Sequence, residues 1–212
     1  MNDTGYYYGM RQLALEVRAR HGIEGSHLTM RQIWRICRTE GIERLDFRSG
    51  FKFLRGAYFN DEYGVSILLA RGLPDDPTIF TIAHELKHHL VDSRARSVLC
   101  RATEEARRIE VGAEVFASEL IYPERDFVYD LFRLLGQMPQ RVTAEILVQL
   151  KRRTQTTLSY AALAKRTVLL GLAERSSFQD IRWGTLRTGV RFEEGKTTAV
   201  TGASDAGITG CS

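Results

Sequence analysis

The chain has 212 residues, 43% of them hydrophobic and 26% charged, a balance that excludes general disorder and suits one sizeable core or two small ones. Its net charge of +4 permits a nucleic-acid role without demanding one, because most of the basic residues are Arg spread along the whole chain. No apolar run approaches the ~20 residues of a membrane helix, and three scattered cysteines, Cys37, Cys100 and Cys211, suit neither a disulfide framework nor a zinc ribbon, so a reducing, cytoplasmic setting is the simplest reading.

In chain order, residues 1–8 lack the basic and apolar regions of a signal peptide. Leu13 and Val17 at helical spacing predict a helix over 11–22, ended by Gly22 and Gly25. A second helix over 27–39 carries Leu28, Ile33, Trp34 and Ile36. Short alternating runs at 44–47, 51–54, 56–59 and 63–70 predict a small antiparallel sheet, with a turn at Asn60-Asp61-Glu62. Pro74 and Pro77 open a strong helix over 78–92, and another follows over 102–121, stopped by Pro123. Shorter helices are predicted over 125–136, 142–152 and 159–170, with Ser159 as an N-cap. Isolated strands at 181–185 and 188–192 precede a small, polar, Gly-rich end that reads as a disordered tail. The fold class is therefore α+β. Three segments are expected: a catalytic unit over 1–124, a helical module over 125–175, and short strands with a tail over 176–212.

The segment Phe80-Thr-Ile-Ala-His84-Glu85-Leu86-Lys87-His88-His89 carries the chemistry. His84 and His88 are four apart, about 400° on a helix, so both imidazoles leave one face a turn apart and can share a metal ion. Glu85 is rotated about 100° from His84. It flanks the metal and can take a proton from water as that water attacks a carbonyl. This HExxH arrangement is only moderately specific alone, but the apolar opposite face (Ile79, Ile82, Ala83, Leu86, Leu90) argues against a merely solvated helix.

A site with two His wants a third protein ligand. The next helix offers Glu110, with Glu114 one turn on. Glu110 is read as the ligand and Glu114 as a hydrogen-bond partner that fixes the tautomer of a ligating His. Glu104, Glu105 and Glu119 compete for the ligand position. An N2O site suits zinc, and also manganese, iron or cobalt. For a second donor to the oxyanion, His89, Tyr122, Tyr58 and Tyr63 are candidates among which the sequence does not choose.

The stretch Phe80-Thr-Ile-Ala-His-Glu-Leu-Lys-His, followed by Glu110-x-x-Ala113-Glu114-x-Phe116-Ala117-Ser-Glu-Leu-Ile-Tyr-Pro123, resembles the ImmA/IrrE family of metallopeptidases, with its FTxAHELxH and ExxA(N/D)xFAxxLLxP motifs. The resemblance implies a gluzincin-like minimal peptidase with metal ligands at His84, His88 and Glu110 and a general base at Glu85. It also implies a helix-turn-helix transcriptional repressor as substrate, cleaved to release a phage, mobile-element or stress regulon. Three positions depart from the pattern: Glu114 where Asn or Asp is usual, Lys87 where Gly is frequent, and Tyr122 where Met is common. Residues 142–172 are similar to the helix-turn-helix-like module of that family. Two other classes stay open. One is a non-proteolytic zinc-containing regulator that binds a repressor. The other is a DNA-binding protein using residues 142–172, with Tyr160, Lys165 and Arg166 on or near its second helix. DNA binding is not favoured, because the only basic cluster there is Lys151-Arg152-Arg153.

Overall fold

A computed structural model describes residues 3–51, 54–93, 103–139 and 141–189. Cys100, Cys211 and the Gly-rich end lie outside them. The elements run α1 (Asp3–His21), α2 (Met30–Thr39), β1 (Arg44–Arg48), β2 (Gly56–Asp61), β3 (Gly64–Ala70), α3 (Asp75–Lys87), α4 (Glu104–Ile121), α5 (Glu124–Leu135), α6 (Ala144–Thr154), α7 (Tyr160–Leu169) and α8 (Trp183–Gly189). The α+β class holds. No helix among the described residues is long and apolar enough to cross a membrane.

Local chemistry explains most boundaries. Thr29 caps α2 with a capping box: its hydroxyl accepts from Gln32 N while the Gln32 side chain accepts from Thr29 N. Asp75 and Asp76 sit in the first turn of α3, where the free amides favour negative charge. Thr103 and Ser159 cap α4 and α7 through their hydroxyls, the latter as expected. Helix α1 begins eight residues before the predicted start. Tyr6 and Met10 pack against the core there, on turns whose Gly5 and Gly9 hide the helical pattern.

The sheet departs from expectation in its sense. Its order is β1-β3-β2, with β1 parallel to β3 and β2 antiparallel to it, so it is mixed rather than antiparallel. The 49–55 connection is too long for a tight hairpin and lets β2 pass to the far edge; alternation has the same period in both senses and could not reveal this. Of the strand predicted at 51–54, Phe51 and Leu54 lie in coil and residues 52–53 are outside the described set. The strand predicted at 181–185 is also overturned, because Trp183–Gly189 is helical. Trp183 turns inward and stacks on Tyr160 with ring centroids 5.1 Å apart and planes 7° apart, and that anchoring outweighs local strand preference. In the strand predicted at 188–192, Thr188 and Gly189 belong to α8 and residues 190–192 lie outside the described set.

Helix α3 packs against α2, α4, β2 and β3, and α1 runs along α4. Ile82, Leu86, Ile67, Phe116, Phe127, Leu147 and Leu163 are all fully buried in one contiguous cluster. The C-terminal carbonyls of α4, which no helical amide can satisfy, are bound by two buried arginines. Arg18 of α1 donates to Leu120 O at 2.6 Å and also to Gly25 O at 2.6 Å. Arg166 of α7 donates to Tyr122 O. This end of α4 is thereby fixed from both sides, which sets the position of Glu110 two to three turns upstream.

Candidate metal centre

Helix α3 ends at Lys87 and continues as a single π-turn over His88–Asp92. His84 and His88 project from it toward α4, which carries Glu110. His84 Nε2 lies 3.3 Å from His88 Nε2 and 3.1 Å from Glu110 Oε2, and His88 Nε2 is 3.7 Å from Glu110 Oε1. Three donors on a tetrahedral zinc at about 2.0–2.2 Å would stand roughly 3.4 Å apart, so the spacing matches that of a shared ion. One ligand atom from each of the three residues falls within 4.8 Å of the others. Two imidazole nitrogens and one carboxylate oxygen are a donor set that can hold a divalent metal ion. The Glu110 carboxyl is held below its ordinary range, first by His84 Nε2 beside it, against burial that pushes it up.

Glu85 faces the same cleft, about 680 Å³ in volume, that His84, His88 and Glu110 line. Burial pushes its carboxyl above the ordinary range, while His84 and His88 draw it down. The Tyr58 backbone N–H, on the free edge of β2, donates to it. The strand can come this close because residue 56 is glycine. A Cβ there would lie 2.5 Å from Thr81 Cγ2 and 3.4 Å from Glu85 Oε1. Sequence reasoning missed Gly56; its only trace was a Gly opening a strand run.

The partner of a ligating His is not Glu114. The Glu114 carboxylate accepts from Lys165 Nζ at 2.7 Å. Asp92 takes that place: its Oδ2 is 2.8 Å from His88 Nδ1, which therefore carries the proton and leaves Nε2 with its lone pair toward Glu110 and His84. The same Asp92 oxygen accepts from Lys87 Nζ at 2.6 Å. Burial pushes the Asp92 carboxyl up, but hydrogen bonds from His88 and Lys87 and their charges together hold it below its ordinary range. Among the competing carboxylates, Glu119 accepts from Glu124 N at 3.0 Å and faces Arg166. Glu104 and Glu105 are exposed in the first turn of α4.

The oxyanion candidates separate cleanly. Tyr122 is fully buried and donates to Asp130 Oδ2 at 2.8 Å. Tyr63 is 73% exposed at the β2–β3 turn. His89 spends both nitrogens, Nε2 donating to Glu40 O at 2.8 Å and Nδ1 accepting from Tyr58 Oη at 2.9 Å. Tyr58 alone of the four lines the cleft, with its hydroxyl proton given to His89 Nδ1.

Most of the residues considered for DNA contact are engaged internally, Arg153 being exposed. Arg166 is buried on the end of α4. Lys151 donates to Asp76 at 2.7 Å and to the carbonyls of Thr156 and Leu158. Arg152 donates to Arg187 O, and Tyr160 stacks on Trp183.

Comparison with known proteins bears on the same elements. A family model described as the IrrE N-terminal-like domain, of the M78 peptidases, matches residues 46–166. That stretch begins in β1 and ends in α7, and so takes in α3, the π-turn and α4. No curated protein matches the chain.

Proposed function

The chain belongs to the M78 metallopeptidase family of IrrE-like domains, and from that premise we propose that it is a zinc-dependent endopeptidase with ligands His84, His88 and Glu110 and general base Glu85. One observation carries the reading: one atom each of His84, His88 and Glu110, within 4.8 Å of one another, lie in the same cleft as a second carboxylate, the buried Glu85, that needs no metal contact. A purely structural site would need the three ligands but not Glu85.

Zinc held there supplies Lewis acidity, polarising a carbonyl and acidifying water. Glu85 takes the proton of the attacking water and hands it to the amide nitrogen as the peptide bond breaks. Its raised affinity for protons suits that task, and the Tyr58 N–H keeps the carboxylate aimed. His88, oriented by Asp92, would present Nε2 to a metal held there. Manganese, iron or cobalt would fit the same donors.

The proposed substrate is a helix-turn-helix repressor, on the family resemblance. The cleft favours a polypeptide: it is walled on one side by residues 56–60 of edge strand β2. In this reading residues 1–124 carry the chemistry. Residues 125–175, including the helix-turn-helix-like pair α6–α7, brace them through Lys151–Asp76, Lys165–Glu114 and Arg166–Tyr122.

The test is Glu85→Gln, mixed or co-expressed with a repressor encoded beside the gene. Zinc content and repressor binding should stay near wild type while fragment formation falls ~10²–10⁴-fold, the usual worth of a positioned general base. If the variant derepresses as well as the wild type, and neither yields fragments, the protein acts by sequestering its partner and the endopeptidase reading is wrong.

A further inference from the structure

Lys87 is the most unusual side chain near the centre. It is fully buried, a rare condition for an ammonium that requires complete compensation. Its Nζ donates to Asp92 Oδ2 at 2.6 Å and to Ile109 O at 3.1 Å, and lies 5.7 Å from the centre of the Tyr6 ring. Those partners are not arbitrary. Asp92 is the carboxylate that holds His88 Nδ1, and Ile109 immediately precedes Glu110. One cation thus touches the group behind a ligand on α3's extension and the backbone beside a ligand on α4.

The π-turn makes this contact. On a regular α-helix, residue 92 would stand about 140° round from residue 87. Over His88–Asp92 the turn widens to i→i+5 closure, which brings the fifth residue back over the first. Asp92 then reaches both His88 and Lys87.

We infer that Lys87 is a positioning residue for the metal centre: through Asp92 and the Ile109 carbonyl it clamps the His88 and Glu110 arms at the spacing one ion requires. With the cation removed, Asp92 is free to turn from His88, and the α3 extension loses its polar tie to α4. The inference rests on the proposed function only in taking His84, His88 and Glu110 as ligands.

The test measures zinc affinity directly, by competition with a chromophoric chelator on the full chain, in Lys87→Met, Asp92→Asn and the double variant. Lys87→Met keeps the length of the side chain and removes its charge. Each single variant should bind zinc roughly 10–100-fold more weakly, the usual effect of losing a group behind a ligand. The double variant should be little worse than the worse single one, because both act through one path. The visible spectrum of the cobalt-loaded protein should shift in both, reporting altered ligand geometry that a general loss of stability would not produce. Folded Lys87→Met with zinc affinity within about twofold of wild type and an unchanged cobalt spectrum would overturn the inference. If Lys87→Met does not fold, Asp92→Asn decides on the same readouts. If neither folds even with excess zinc, the pair belongs to the core and the inference fails. Failure of the wild type to bind zinc would instead sink the ligand assignment itself.

Discussion

His88 is the anchored member of the proposed ligand set, with a side chain 3% exposed against 18% for His84 and 49% for Glu110. The three should therefore respond differently to truncation. Glu110→Ala and His84→Ala should lose zinc, read by elemental analysis, with unfolding midpoints close to that of the metal-free wild type. His88→Ala should lose zinc and also destabilise the metal-free chain by about 1–3 kcal/mol, because it removes one of the two side-chain partners of the Asp92 carboxylate and leaves it to Lys87 alone. Full zinc occupancy in either exposed-ligand variant would remove the site. Gly56 offers a second test at this scale. Gly56→Ala forces β2 away from Thr81 and Glu85 and should cost about 1–3 kcal/mol by overpacking. It should also slow cleavage more than it weakens zinc binding, since it displaces the Tyr58 amide from Glu85 while leaving the ligands in place. Equal losses in both would mean that β2 supports the metal and not the base.

At the scale of elements, the end of α4 is the junction to probe. Arg166 is buried against Tyr122 O and 3.4 Å from Glu119 Oε2. Arg166→Met should lower stability by about 3–5 kcal/mol, the penalty for leaving a buried charge and carbonyl unpartnered, as measured by urea unfolding. A loss under about 1 kcal/mol would show that water replaces the guanidinium there. The α1–α2 contact is sensitive to pH. Burial pushes the Glu40 carboxyl up, but hydrogen bonds from His21 and Arg20 push it further down, to a net value below the ordinary 4.5. A depressed folded value means that the contribution is present above ~4.5 and lost as pH falls through the folded value. The stability difference between wild type and Glu40→Gln should therefore shrink as unfolding is measured from about pH 6 down to about pH 3. A constant difference would remove this contact as a source of acid sensitivity.

For the whole molecule, the question is what the C-terminal helices face. Of the basic side chains considered for phosphate contact, Arg153 is exposed, while Lys151, Lys165 and Arg166 are held by Asp76, Glu114, Tyr122 and the carbonyls around α6. Freeing them would break the contacts that dock α6 and α7. The protein should therefore show no tight duplex binding, with fluorescence anisotropy at low salt giving at most weak, unselective association. A sequence-selective, steeply salt-dependent shift at nanomolar protein would overturn this and restore DNA as a partner.

What the sequence determined by itself is what depends on local period and local chemistry. The HExxH spacing places His84 and His88 on one face because the helical repeat is a property of the backbone alone. Ser159 caps α7 because a hydroxyl before a helix finds the free amides of its own first turn. Glu110 could be proposed as a ligand, but its convergence with His84 and His88 depends on how α4 crosses α3, and Arg18 and Arg166, about 150 residues apart in sequence, set that. Tertiary structure also chose parallel pairing for β1, which no alternation distinguishes from antiparallel. It gave Asp92 rather than Glu114 to the imidazole, and, through a π-turn that a 3.6-residue reading of 78–92 cannot contain, it brought Lys87 to the same oxygen. A polar side chain takes whichever partner the packing brings within about 3 Å. Sequence spacing fixes that distance only inside one regular element, and across elements the packing of the core decides it.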